Sequence, residues 1–178
     1  MAVHFEFDRE RATQTVLWFL HKHGSLDSRK LLKLVFLVDC AHLAAYGRPI
    51  IGGRYVAMKQ GPVQSELYDL IKEAAHSNTG AFRVERKYFL CANAPVDEEF
   101  LSQSDMEILE QINDSYGHHD GYSLSVMTHQ RESWKKNAPV TGGPQSVPIP
   151  YEDILAECCD ARMRTLITDD QEARSSLE

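Results

Sequence analysis

The chain has 178 residues, 43% of them hydrophobic and 25% charged, and carries a formal charge of −7. That size and composition exclude wholesale disorder and allow one domain to hold a core without metal or disulfide. The acidic balance argues against nucleic-acid binding through general phosphate attraction. The acidity is concentrated at the C-terminus, where residues 152–178 hold eight acids against three bases.

The first predicted helix runs from about Asp8, a candidate N-cap, to His23, with Val16, Leu17 and Leu20 on one face and Gly24 closing it. A second starts near Asp27 and reaches Tyr46, stopped by Gly47, with Pro49 preventing its resumption. Leu31, Leu32, Leu34, Val35, Phe36, Leu37 and Val38 cover most of its circumference, so it is expected to be buried on nearly all sides. Residues 54–59 read as extended, Gly61–Pro62 as a break, and 63–75 as a helix with Leu67, Leu70, Ile71 and Ala74 inward. Residues 82–85 and 88–91 read as short strands joined at Arg86–Lys87.

Ser102 and Asp105 have the spacing of a capping box, which starts a helix ending at Tyr116–Gly117. A shorter helix is expected near Ser123. Residues 138–150 hold four prolines and two glycines and read as a loop or linker. A last helix over about 151–167 and a disordered acidic tail over 168–178 complete the reading. The fold class is therefore mainly α with a small antiparallel β element (α+β), a compact helical domain around one central buried helix.

No run approaches the ~20 apolar residues of a membrane span. Early acids (Glu6, Asp8, Glu10) are wrong for a secretory signal, and Cys40, Cys91, Cys158 and Cys159 lack metal or redox spacing. A cytoplasmic protein with reduced thiols, no metal and no cofactor is expected. Gly52–Gly53 and Gly142–Gly143 lack the spacing of phosphate-binding loops. Asp39 and His42 share a helix face at i and i+3. They could form an acid–base pair in a cleft, but a structural bond fixing the helix against the hairpin is the preferred reading. Trp134, with Arg131, Lys135 and Lys136 around it, is either an interface anchor or the closure of one end of the core. Helix, turn, helix and hairpin is the order of a winged helix–turn–helix, but its reading helix would here be the apolar one needed inside.

The assembled residues resemble the Panacea, or SocA-like, antitoxin domain, a phage-associated family. The resemblance begins at Lys30-Leu31-Leu32-Lys33-Leu34-Val35-Phe36-Leu37-Val38-Asp39 and continues through His42, Leu43 and Tyr46-Gly47-Arg48-Pro49. It extends to Tyr55-Val56-Ala57-Met58-Lys59-Gln60-Gly61-Pro62-Val63, then Leu67 and Tyr68, and later Ser102–Asp105 and Thr128-His129 with Trp134. It covers roughly residues 10–157, giving a domain over 1–157 followed by the tail. The resemblance implies an antitoxin that neutralises a cognate protein toxin by direct contact, without enzymatic activity and often encoded in prophage. The residues it marks as partner-binding or motif positions are Asp39, His42, Tyr46, Met58, Gly61, Pro62, Val63, His129 and Trp134. The alternatives are an adaptor delivering a bound partner to an ATP-dependent protease, and a hydrolase using Asp39, His42 or His129. The acidic C-terminus would steer association toward a basic toxin. The oligomeric state is left open.

Overall fold

A computed structural model describes residues 2–176. Helix α1 (Arg9–His23) is capped by the Asp8 carboxylate, which accepts from the Arg11 N–H, and Gly24 closes it with φ 78°. A three-residue strand, β1 (Ser25–Asp27), leads into α2 (Ser28–Tyr46), capped by Asp27 and ended by a left-handed Gly47. Every apolar residue from Leu31 to Val38 is at most 5% exposed, so α2 is the central rod that the sequence implied. Burying each such side chain stabilises the fold by ~1.5–3 kcal/mol.

Strands β2 (Tyr55–Met58) and β3 (Gly61–Gln64) form a hairpin, and α3 (Ser65–His76) follows directly. Gly61–Pro62 thus begins a strand instead of breaking the chain. Pro62 is tolerated because β3 lies at the edge of its sheet, where a missing N–H leaves no inner ladder bond unmade. A second hairpin, β4 (Phe82–Glu85) and β5 (Phe89–Ala92), turns at Arg86 and Lys87, both with positive φ. Helix α4 (Gln103–Tyr116) starts with the expected reciprocal capping box. Helices α5 (Gly121–His129) and α6 (Glu132–Asn137) follow.

The C-terminal quarter departs from expectation. Within the anticipated linker, β6 (Ser146–Ile149) pairs with β2, Tyr55 opposite Ile149, giving a three-stranded sheet in the order β3-β2-β6. A second sheet, β1-β5-β4, places Leu26 opposite Leu90. The expected last helix is two: α7 (Tyr151–Cys158) and α8 (Ala161–Ser175), separated at an extended Cys159. Asp160 caps α8 by accepting from the Met163 N–H at 2.7 Å, a bond that requires non-helical backbone at the cap. Residues 168–175, expected to be disordered, are helical because Ile167 is buried and Met163 lies against Gly47 at the end of α2. Residues 177 and 178 of the expected tail lie outside the described residues. The fold is mainly α, with two small antiparallel sheets around α2. No helix among the described residues is long and apolar enough to cross a membrane.

Candidate partner-binding site

Most of the marked residues collect at the β2–β3 hairpin, which packs on the first half of α2. The Trp134 indole N–H, from α6, donates to the Met58 carbonyl at 3.0 Å. The His129 ring, at the end of α5, stacks on Trp134 with centroids 4.2 Å apart. Gly61 carries φ 110°, and a Cβ there would stand 2.8 Å from Thr128 Oγ1 and 2.9 Å from Lys33 Cε. Only glycine lets the hairpin come this close to α2 and α5. Val63 is buried opposite Val56 in the ladder. Met58, Gly61, Pro62, Val63, His129 and Trp134 are thus brought together.

At their centre sits a residue that the sequence reading named only as one position of the Lys30–Asp39 motif. Lys33 is 1% exposed, and its ammonium donates to the Pro62 carbonyl at 2.8 Å. Burial, aided by the charge of Arg29, lowers its pKa to about 7. His129 Nε2 is also buried and has no hydrogen-bond partner among the described residues. Burial and the neighbouring Lys33 charge hold that imidazole below its ordinary pKa. The signal for Lys33 was present in the sequence: a lysine inside the run Leu31-Leu32-Lys33-Leu34 cannot reach water as its neighbours pack inward.

Beside this cluster opens a groove of about 540 Å³, with Leu32, Lys33 and Val63 among its lining residues. Its aromatic residues are Tyr68, Tyr88, Phe89 and Tyr122, between 36% and 69% exposed. Arg29 and Lys59 add positive charge. The Asp27 carboxylate is committed to the Lys30 N–H as the α2 cap.

The other marked residues lie further along α2 and make different bonds from those expected. Asp39 does not pair with His42. Its Oδ1 accepts from the Ile50 and Ile51 N–H groups at 2.8 and 3.2 Å, and its Oδ2 accepts from the Tyr55 hydroxyl at 2.9 Å. Burial outweighs those donors and raises its pKa to about 6. His42 instead meets the Arg48 carbonyl at 2.7 Å and Asp105 at 3.0 Å. An i, i+3 spacing puts two groups on one face, but each side chain turned toward the nearer unsatisfied polar groups.

Asp105 also accepts from Arg48 at 2.9 Å and from the Ser102 N–H. Burial opposes its charge. The bonds from His42 and Ser102, with the charges of Arg48 and Arg11, nevertheless hold its carboxyl well below the usual carboxylate range. Tyr46 is 45% exposed and donates to Glu107 at 2.9 Å. Among the described residues, Asp39, His42 and His129 share no hydrogen-bond partner. Among the described residues, no three His, Cys, Asp or Glu side chains gather in a way that could hold a metal ion.

Comparison with known proteins places these observations in a family. Neither the curated proteins nor the solved structures include a significant match to the chain. Residues 31–135, more than half of the chain, match the family described as Antitoxin SocA-like, Panacea domain. That span runs from the buried half of α2, through the hairpin and the capping box of α4, to the Trp134 helix, so the chain belongs to the SocA-like Panacea-domain family of antitoxins.

Proposed function

We propose that this protein is the antitoxin of a toxin–antitoxin pair and neutralises its partner by direct protein–protein contact, without catalysis of its own. Membership of the family supports an antitoxin role in general. The observation that carries the contact reading is the exposed aromatic groove beside the family's hairpin. Exposed Tyr122 and Tyr88, with Arg29 beside them, have the composition of an interface hot spot. The buried carboxylates Asp39 and Asp105 are fully engaged in holding segments together, which suits scaffolding and not proton transfer.

The test is co-expression with the product of an adjacent open reading frame that arrests growth on its own. Rescue together with co-purification of the two proteins is expected. Rescue should survive Asp39→Asn and His129→Gln; its loss in well-folded variants would favour the hydrolase reading. Rescue should also persist in cells lacking the ATP-dependent proteases. Dependence on one of them would favour the adaptor reading, and absence of any complex would remove direct contact.

A further inference from the structure

We propose that the groove receives an acidic side chain of the partner toxin, seated between the aromatic rim and the Lys33 ammonium. The inference rests on the direct-contact reading above and adds the face used and the chemistry recognised. Charge complementarity selects the occupant. The whole chain carries −7, yet this groove presents Arg29 and Lys59 with the buried Lys33 in its wall, and its one acid, Asp27, already caps α2.

Lys33 is the second observation. An ammonium has three N–H donors, and among the described residues only the Pro62 carbonyl accepts from this one. A buried cation with spare donors is costly until a carboxylate arrives, and charge-assisted bonds are the strong ones. The apolar faces of Tyr68, Tyr88 and Phe89 call for an acid flanked by apolar residues, so that desolvation of the pair accompanies apolar burial. A nucleotide would also stack on such a rim. The chain lacks a glycine-rich phosphate loop and is acidic overall, so the observations favour the protein carboxylate.

A proton linkage follows. With its pKa near 7, Lys33 is increasingly neutral at higher pH and must take up a proton to meet a carboxylate. The groups facing it are Arg29 on its own helix, Lys59 at the hairpin turn, Asp27 before α2, His129 on α5 and the rim tyrosines. Burial and the Lys33 charge hold His129 below its ordinary value, away from this window. Affinity should therefore fall by about fivefold from pH 7 to pH 8 and by about a further tenfold from pH 8 to pH 9.

The experiment measures binding of an inactivated form of the adjacent growth-arresting gene product by calorimetry between pH 7 and 9. Lys33→Met should weaken binding by about 30-fold or more at pH 7 and abolish the pH slope. Should Lys33→Met fail to fold, the exposed rim variants Tyr122→Ala and Lys59→Glu decide. Each should weaken binding by about tenfold with unchanged thermal unfolding. If wild type binds and all folded variants bind equally, the groove assignment is overturned while direct contact stands. If wild type neither binds nor rescues, the direct-contact reading falls and this inference with it. Micromolar binding of ATP or transfer RNA that competes with the toxin and is lost in Tyr122→Ala would overturn the carboxylate in favour of a nucleotide.

Discussion

The two ends of α2 treat buried charge in opposite ways. Near its C-terminal end, Asp105 meets His42, Arg48 and the Ser102 N–H, and His42 has a second bond to the Arg48 carbonyl. Near its N-terminal end, Lys33 has one acceptor among the described residues and His129 Nε2 has none. A saturated network joins elements and leaves nothing for a visitor. An unsaturated one, open to an aromatic groove, retains bonding capacity for a partner.

The sharpest way to break this contrast is to remove the hub of the saturated end. Asp105→Ala should destabilise the fold by ~3–5 kcal/mol in urea unfolding, because it strands Arg48 and His42 and removes the Asp105 half of the α4 capping box. Lys33→Met, at the other end, should leave stability unchanged or raise it while weakening partner binding. Equal loss of stability in both variants would erase the distinction.

The pH dependence of stability sharpens it further. Asp105 has a depressed pKa, so its contribution is present above the unfolded value near 4 and is lost as pH falls below that. Lys33 is depressed from 10.5 to about 7, so the unfolded chain holds the proton more tightly between those values. Stability should rise with pH across that window, by up to ~5 kcal/mol, and the rise should be absent in Lys33→Met. Asp39 is raised from 3.8 to about 6, so the folded state holds the proton and stability should fall as pH rises through 6, by up to ~3 kcal/mol. Asp39→Asn should remove that fall and still fold, since its Oδ1 can keep both backbone N–H bonds.

Smaller effects test how the hairpin is seated. Gly61→Ala combines positive φ with close approach to Lys33 and Thr128, and should destabilise by ~1–3 kcal/mol in thermal unfolding. Trp134→Phe, which keeps much of the packing but loses the bond to Met58, should lower stability by ~1 kcal/mol. The smallest effect is expected on the exposed acids of α8. Neutralising Asp169, Asp170 and Glu172 together should slow association by about twofold at low salt and leave dissociation unchanged, read by stopped flow.

How far each region was legible follows from the range of the interactions that build it. Asp8, Asp27 and the Ser102–Asp105 box announced helix starts because a cap bond spans three residues. The run Leu31–Val38 announced its own burial, since an all-round apolar helix has no face to give to water. The candidate site was half legible. The motif residues around Gly61–Pro62 and Trp134 do meet, but the aromatic rim comes from α3, the β4–β5 hairpin and α5, which only folding brings to one groove.

The sequence alone therefore determined the caps, the turns, the central rod and the family pattern, all of which depend on neighbours a few residues apart or on composition. Tertiary structure decided that β6 joins β2 across some ninety residues, that Ile167 anchors an α8 expected to be disordered, and that Asp39 and His42 bond elsewhere than to each other. It also decided that Lys33 lies beneath Gly61 with donors to spare. A short strand, a docked helix or a buried charge has no stability of its own, so its state is set by whichever distant group the packing delivers to it.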